Sequence, residues 1–217
     1  AAPRGIATDG TDFWIISDNS ATGADSGKDR ILRFASDLSA TGTPIIAPSS
    51  NIEAIAFLDD SLWVVDGDSH CGDDINPVCQ NKNHFIFEVP IASPPASGDP
   101  ADWSGFSRVF APDSFANITG ITVDGSGSAG TLWLARSDGF EFYNITQSGT
   151  SLDTVFTSGG VSGVDSFALS GEFLYSSKGS TVTQWTKTGT KVQDFSIVNE
   201  TGGAPISSIS GMTFKPV

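Results

Sequence analysis

One motif recurs along this chain and limits what it can fold into. A small residue heads a short run of alternating apolar positions, and an apolar run centred on an aromatic follows. Arg4-Gly5-Ile6-Ala7-Thr8-Asp9 precedes Phe13-Trp14-Ile15-Ile16-Ser17-Asp18. Glu53-Ala54-Ile55-Ala56-Phe57 precedes Leu62-Trp63-Val64-Val65-Asp66, and Thr119-Gly120-Ile121-Thr122-Val123-Asp124 precedes Leu132-Trp133-Leu134-Ala135-Arg136. Asp165-Ser166-Phe167-Ala168-Leu169 precedes Phe173-Leu174-Tyr175-Ser176-Ser177, and a fifth start stands at Ser210-Gly211-Met212-Thr213-Phe214. The small residue falls at 5, 54, 120, 166 and 211, at spacings of 49, 66, 46 and 45. Units of this size cannot each bury a core alone; they bury their faces by stacking on one another.

Each unit continues with a third strand, at 30–34, 85–89, 140–143 and 181–185. A fourth follows at 43–47, 107–111, 152–157 and 191–197. Turns such as Ser148-Gly149 and Thr188-Gly189 separate them, with glycine supplying the positive φ that tight hairpins need. No 12-residue stretch has apolar residues at helical spacing, so no helix is expected. Four short antiparallel strands per unit, at about 45 residues, is the period of a β-propeller blade. The expected fold is all-β: a propeller-like array of four-stranded antiparallel blades, four units plus one extra inner strand. A single domain over 1–217 divides into units at 4–48, 52–111, 118–157 and 164–197, with the lone strand at 206–214. The odd strand suits a piece of a longer chain. Trp14, Trp63, Trp133 and Leu174 share one position of the second strand, expected between blades. The second unit is longer by about 20 residues, with insertions at 67–83 and 91–105; such insertions favour a functional face.

Charge then narrows the function. Lys+Arg 11 against Asp+Glu 25 gives a net charge of −14, which repels phosphate backbones and anionic lipid. Nucleic acid is excluded as a partner, and no apolar run is long enough for membrane insertion. The start Ala1-Ala2-Pro3, without Met, fits a mature secreted or cell-surface chain. Cys71 and Cys79 lack the second pair of a zinc site and are expected to form a disulfide in an oxidising compartment. Asn117, Asn144 and Asn199 head glycosylation sequons.

The pattern Gly-Ile-x-x-Asp-Gly at 5–10, the run Phe13 to Asp18 and Arg30-Ile31-Leu32-Arg33-Phe34 resemble NHL-type β-propeller repeats. The blades are also similar to those of gluconolactonase-like and glutaminyl-cyclase-like propellers. The resemblance spans nearly the whole chain as blade grammar, which many activities share, and carries over no catalytic residue. In gluconolactonase-like propellers a Glu at the start of an inner strand binds a divalent metal with Asn and Asp from other blades. The resemblance implies Glu53, with Asp66 and Asp18, as the counterpart here.

Up-and-down blades put the loop before strand one and the loop after strand two at one mouth of the channel. Asp18, Glu53, Asp66, Asp68, Arg136 and Asp165 are therefore the candidate ligand-binding ring, whose acid excess suits cations or polyhydroxylated ligands. Asp66, Asp68, Asp73 and Asp74 crowd four carboxylates into nine residues, a density that suits Ca²⁺; the alternative is an Asp-rich turn bonded to its own backbone. His70 and His84 are expected at the surface, and 18–30 as a solvated loop. There is no Gly-x-Ser-x-Gly elbow. The expected function is an extracellular, non-enzymatic propeller module for adhesion, assembly or binding of a glycan or protein, stabilised by calcium. Two alternatives stand beside it: a metal-dependent hydrolase or lyase of the gluconolactonase-like class, and a self-assembling structural subunit of a surface layer or filament.

Overall fold

The computed structural model describes residues 3–18, 20–68, 70, 72–75, 85–108, 118–136, 141–157, 164–199 and 203–214. Each repeat becomes a four-stranded antiparallel sheet in which consecutive strands are neighbours, and the four sheets form a four-bladed β-propeller. Blade one holds β1 (Pro3–Thr8), β2 (Phe13–Ser17), β3 (Arg30–Phe34) and β4 (Ala40–Ile46). Blade two holds β5 (Ile52–Leu58), β6 (Ser61–Asp66), β7 (Phe85–Pro90) and β8 (Ser107–Arg108). Blade three holds β9 (Ile118–Asp124), β10 (Thr131–Arg136), β11 (Glu141–Thr146) and β12 (Ser151–Thr157). Blade four holds β13 (Ser166–Ser170), β14 (Phe173–Lys178), β15 (Thr181–Thr186) and β16 (Lys191–Ser196).

The repeated small residue has a steric cause. The innermost strands pack in series, β1 on β5, β5 on β9 and β9 on β13. A Cβ on Gly120 would stand 2.5 Å from the Cβ of Phe167 in the next blade and 3.2 Å from that of Ala135. One on Gly5 would stand 2.8 Å from Ile16 Cδ1 and 3.5 Å from Ala54 Cα. Only a hydrogen at these positions lets neighbouring strands converge on the channel.

The second-strand aromatics fill the seams as expected. Trp14, Trp63, Trp133 and Leu174 are all buried, in three clusters between blades one and two, two and three, and three and four. Trp14 stacks on Phe57 of blade two at 5.1 Å, and Phe142 stacks on Phe167 of blade four at 4.9 Å.

Two departures from expectation lie in these elements. The insertion at 91–105 contains one turn of α-helix, α1 (Pro100–Trp103), where none was expected. Asp99 caps it by accepting from Ala101 N, and Pro100 opens it with a φ already suited to a helix. The turn delivers a fully buried Trp103, whose Nε1 donates to Ile46 O and Ser97 O and whose ring meets Phe87 edge-on at 5.0 Å. The second is 206–214, expected as a strand, which forms no ladder; one bridge, Val198 to Pro205, anchors its approach. It runs between blades four and one: Ser177 Oγ donates to Ile209 O, Phe214 lies 4.8 Å from Tyr175, and Gly211 abuts Ile6. Among the described residues no helix is long and apolar enough to cross a membrane.

Candidate functional site

The channel has two unlike ends. At the ends of the inner strands it opens into a cavity of about 500 Å³. Ile6, Ile55, Phe57, Ile121, Val123 and Leu169 wall it, Met212 and Phe214 close the ring, and Asp9, Asp59 and Ser126 edge it from the turns. At the starts of the inner strands the same channel narrows to a notch of about 10 Å³. There Arg4, Glu53, Thr119, Asp165 and Ser210 stand one residue before the small positions, in a ring. The close strand approach that glycine permits is what closes this end.

The structure thus brings Glu53, Asp165 and Arg4 to one notch, as the topology demands, while most of the predicted acids there already have partners. Arg4 pairs with Asp18 at 3.3 Å. Asp165 accepts from Gly179 N at 2.7 Å and pairs with Lys178 at 3.3 Å. Arg136 pairs with Glu141 at 3.2 Å, and Tyr143 donates to the same Glu141 oxygen, within blade three. Glu53 differs: among the described residues its half-buried carboxylate has no hydrogen bond. Burial raises its pKa; Arg4 opposes this, and the charges of Asp66 and Asp29 add to the rise.

The acidic loop after β6 is organised around His70, which is 4% exposed and not the surface residue the sequence suggested. Its Nε2 lies 3.0 Å from Asp66 Oδ2 and its Nδ1 2.8 Å from Asp73 Oδ2. Burial pulls the imidazole pKa down, but hydrogen bonds and charge from Asp66 and then Asp73 outweigh it and hold the pKa above its ordinary value. Asp66, wholly buried, also accepts from Ser49 Oγ at 2.7 Å and Asp68 N at 2.9 Å. Asp68 Oδ1 accepts from His70 N, Asp73 Oδ1 from Ile75 N, and Asp74 lies exposed. The imidazole occupies the space between Asp66 and Asp73, and among the described residues no cluster of three or more His, Cys, Asp or Glu is arranged to hold a metal. Phe85 and Phe87 meet the ring edge-on, at 5.5 and 6.1 Å.

The 18–30 loop is solvated at 22–24 and 26–27, as expected, but anchored at its end. Asp29 is wholly buried; its Oδ2 accepts from Ile52 N, and its backbone joins Ser49 O and Ala47 N. Cys71, Cys79, His84 and Asn117 lie outside the described residues.

No family model matches the chain, and no curated protein resembles it in sequence. Solved structures do resemble it in fold. A chain of a nidogen/laminin complex matches at TM-score 0.60 and 17% identity, over 98% of this chain and 68% of that one. The WD40 domain of Neurospora crassa Pan2 matches at 0.52 and 9%, over 94% of this chain and 51% of that one. A catalytically inactive virginiamycin B lyase from Staphylococcus aureus with quinupristin gives 0.48 and 18%, over 94% and 58%. The chain therefore spans about half to two thirds of the length of these propellers, and at such identities the likeness concerns fold alone.

Proposed function

We propose that this chain is an extracellular, non-enzymatic propeller module that serves adhesion or assembly by binding a polypeptide ligand at the wide mouth of its channel. The observation that carries the reading is the cavity of about 500 Å³, walled by apolar residues of every blade and within the size range of ligand pockets. An apolar side chain on a partner's loop suits such walls better than a glycan does, because sugar hydroxyls would find few partners below the rim. That a structural neighbour comes from a complex of nidogen with laminin is consistent with this use of the fold and supports it by analogy only.

The test is isothermal titration with N-acetyl-tryptophanamide and N-acetyl-leucinamide as minimal apolar side chains on a peptide backbone. Ile121→Trp should fill the cavity and abolish binding, and Glu53→Gln at the far end should leave it unchanged. Equal binding by the wild type and Ile121→Trp would overturn the reading.

A divalent-metal hydrolase of the gluconolactonase-like class is favoured by one observation, the Glu53 carboxylate at the narrow end, which has no hydrogen bond among the described residues. Titration with Mg²⁺, Ca²⁺ and Zn²⁺ separates the two readings. A metal bound by the wild type and lost in Glu53→Gln supports the enzyme; a cation lost only in an Asp68→Asn, Asp74→Asn variant supports calcium in the loop.

A further inference from the structure

The wide mouth is apolar inside and charged only at its edge. Of the described residues that line it, Asp9 and Asp59 alone carry charge, and both are acids. The turns that join first to second strands stand at this end. With the strand ends beside them they bring six acids to the rim: Asp9 and Asp12 on blade one, Asp59 and Asp60 on blade two, Asp124 on blade three and Glu172 on blade four.

Two cations answer these acids among the described residues. Arg33 Nε donates to Asp12 Oδ2 at 2.7 Å, and Lys187 Nζ lies 2.8 Å from Asp124 and 3.9 Å from Glu172. Asp9, Asp59 and Asp60 have no ion pair among the described residues. Lys215, which follows Phe214 in sequence, lies outside the described residues; counted as a third cation, it still leaves the six acids in excess. The uncompensated charge is one-sided, because it stands on blades one and two. Asp9 is half-buried and fixed there, its Oδ1 accepting from Thr11 N and Asp12 N, each at 2.7 Å. Asp59 and Asp60 are exposed and form the whole of a two-residue hairpin turn, at φ 48 and 63. Asn-Gly is the favoured pair for such a turn; here it presents two carboxylates instead.

We propose that the wide mouth selects a basic segment of its polypeptide partner. An apolar side chain of that segment enters the cavity, and Lys or Arg beside it in sequence pairs with Asp9 on blade one and with Asp59 and Asp60 on blade two. The proposal rests on the reading of the wide mouth as the ligand site, and adds the partner's charge and orientation to it. Apolar walls favour burial of the anchor but give it no direction. Charges at the rim supply direction and specificity, and stay in water, so pairing there costs little desolvation. A segment with the same anchor flanked by acids is repelled.

The test titrates the whole chain by calorimetry with acetyl-Lys-Trp-Lys-amide and acetyl-Gln-Trp-Gln-amide. The lysine peptide should bind about tenfold more tightly at about 0.01 M salt, where the Debye length is about 30 Å. The two should bind about equally at about 1 M, where it is about 3 Å. In Asp59→Asn, Asp60→Asn the low-salt ratio should fall below about threefold; Asn tolerates the left-handed region, so the turn is kept. The readout is a ratio between peptides with one anchor, so a change in the cavity itself does not move it. Failure of the two readings is distinguishable. If N-acetyl-tryptophanamide does not bind, or binds wild type and Ile121→Trp alike, the wide-mouth reading falls and this proposal falls with it. If it binds and Ile121→Trp abolishes binding, yet the two peptides bind equally at low salt, the basic partner alone is overturned. Lysine-peptide binding that survives Ile121→Trp would also overturn it, since the rim would then hold cations without an anchor. So would tryptamine binding as tightly as the lysine peptide, which would assign the mouth to a small organic cation.

Discussion

Replacing Gly120 by alanine adds one methyl group at the point where β9 meets β13. That methyl would lie 2.5 Å from the Cβ of Phe167, well inside contact distance, and neither atom belongs to a flexible side-chain end. Phe167 is itself pinned by its stack on Phe142 at 4.9 Å, so relief requires the two inner strands to separate. Overpacking of this kind costs about 1–3 kcal/mol. Replacing glycine within a strand returns about 0.5–1 kcal/mol of backbone entropy. The expected net loss is about 1–2 kcal/mol. With a urea m-value of about 2 kcal/mol/M, the midpoint should fall by about 0.5–1 M with little change in slope. Gly105→Ala is the control: a Cβ there meets nothing within 4 Å, and φ is not in the left-handed region, so its midpoint should hold or rise. Gly120→Ala matching Gly105→Ala would refute the claim that small residues at the repeat positions set the strand approach.

Other outcomes follow from the buried charges and the sequons. His70→Gln should lose about 3–5 kcal/mol, because Asp66 is left buried without its cation. The folded pKa of His70 lies above the unfolded one, so its contribution is complete below about pH 6.5 and fades as pH rises through the folded pKa. The gap in melting temperature between wild type and variant should therefore shrink from pH 6 to pH 9; a constant gap contradicts the imidazolium clamp. Glu53 also has a raised folded pKa, so its ionisation opposes folding above the ordinary carboxyl range. Glu53→Gln should be more stable than wild type at pH 7 and lose that advantage below about pH 4.5, as read by urea midpoints at both pH values. Asn199 is exposed, whereas Asn144 lies inside β11 opposite Trp133 with its Oδ1 buried and without a hydrogen-bond partner among the described residues. Glycopeptide mass spectrometry after secretion from a eukaryotic host should find carbohydrate on Asn199 and none on Asn144.

The blades were legible because one steric demand recurs in one register. Gly5 and Gly120 mark where neighbouring inner strands touch, Gly211 marks where the last segment meets Ile6 of β1, and Trp14, Trp63 and Trp133 mark the seams. The helical turn at Pro100–Trp103 was legible in principle, since Asp99-Pro100 is a cap followed by a first-turn proline, but four residues of helix carry no periodicity to detect. His70 was hidden for another reason. Asp66 and Asp73 lie four and three residues away on either side, a spacing that reads as an acidic surface loop until His70 adopts φ 47 and turns inward between them. The channel mouth left no chemical mark at all. Ile55, Ile121 and Leu169 are ordinary alternating strand residues, and only the ring closure makes them face one another.

The most direct test of the binding account uses Met212, the only methionine of the chain, which lines the channel at the wide mouth and reaches the narrow notch. A ¹³C-methyl label there gives one resonance that reports on the cavity. Titration with N-acetyl-tryptophanamide should shift that resonance in the wild type and in Glu53→Gln alike, and should leave it unmoved in Ile121→Trp. A resonance that stays fixed in the wild type while the peptide analogue binds, or one that moves only when Glu53 is intact, would contradict a ligand site at the wide mouth and return function to the acidic notch.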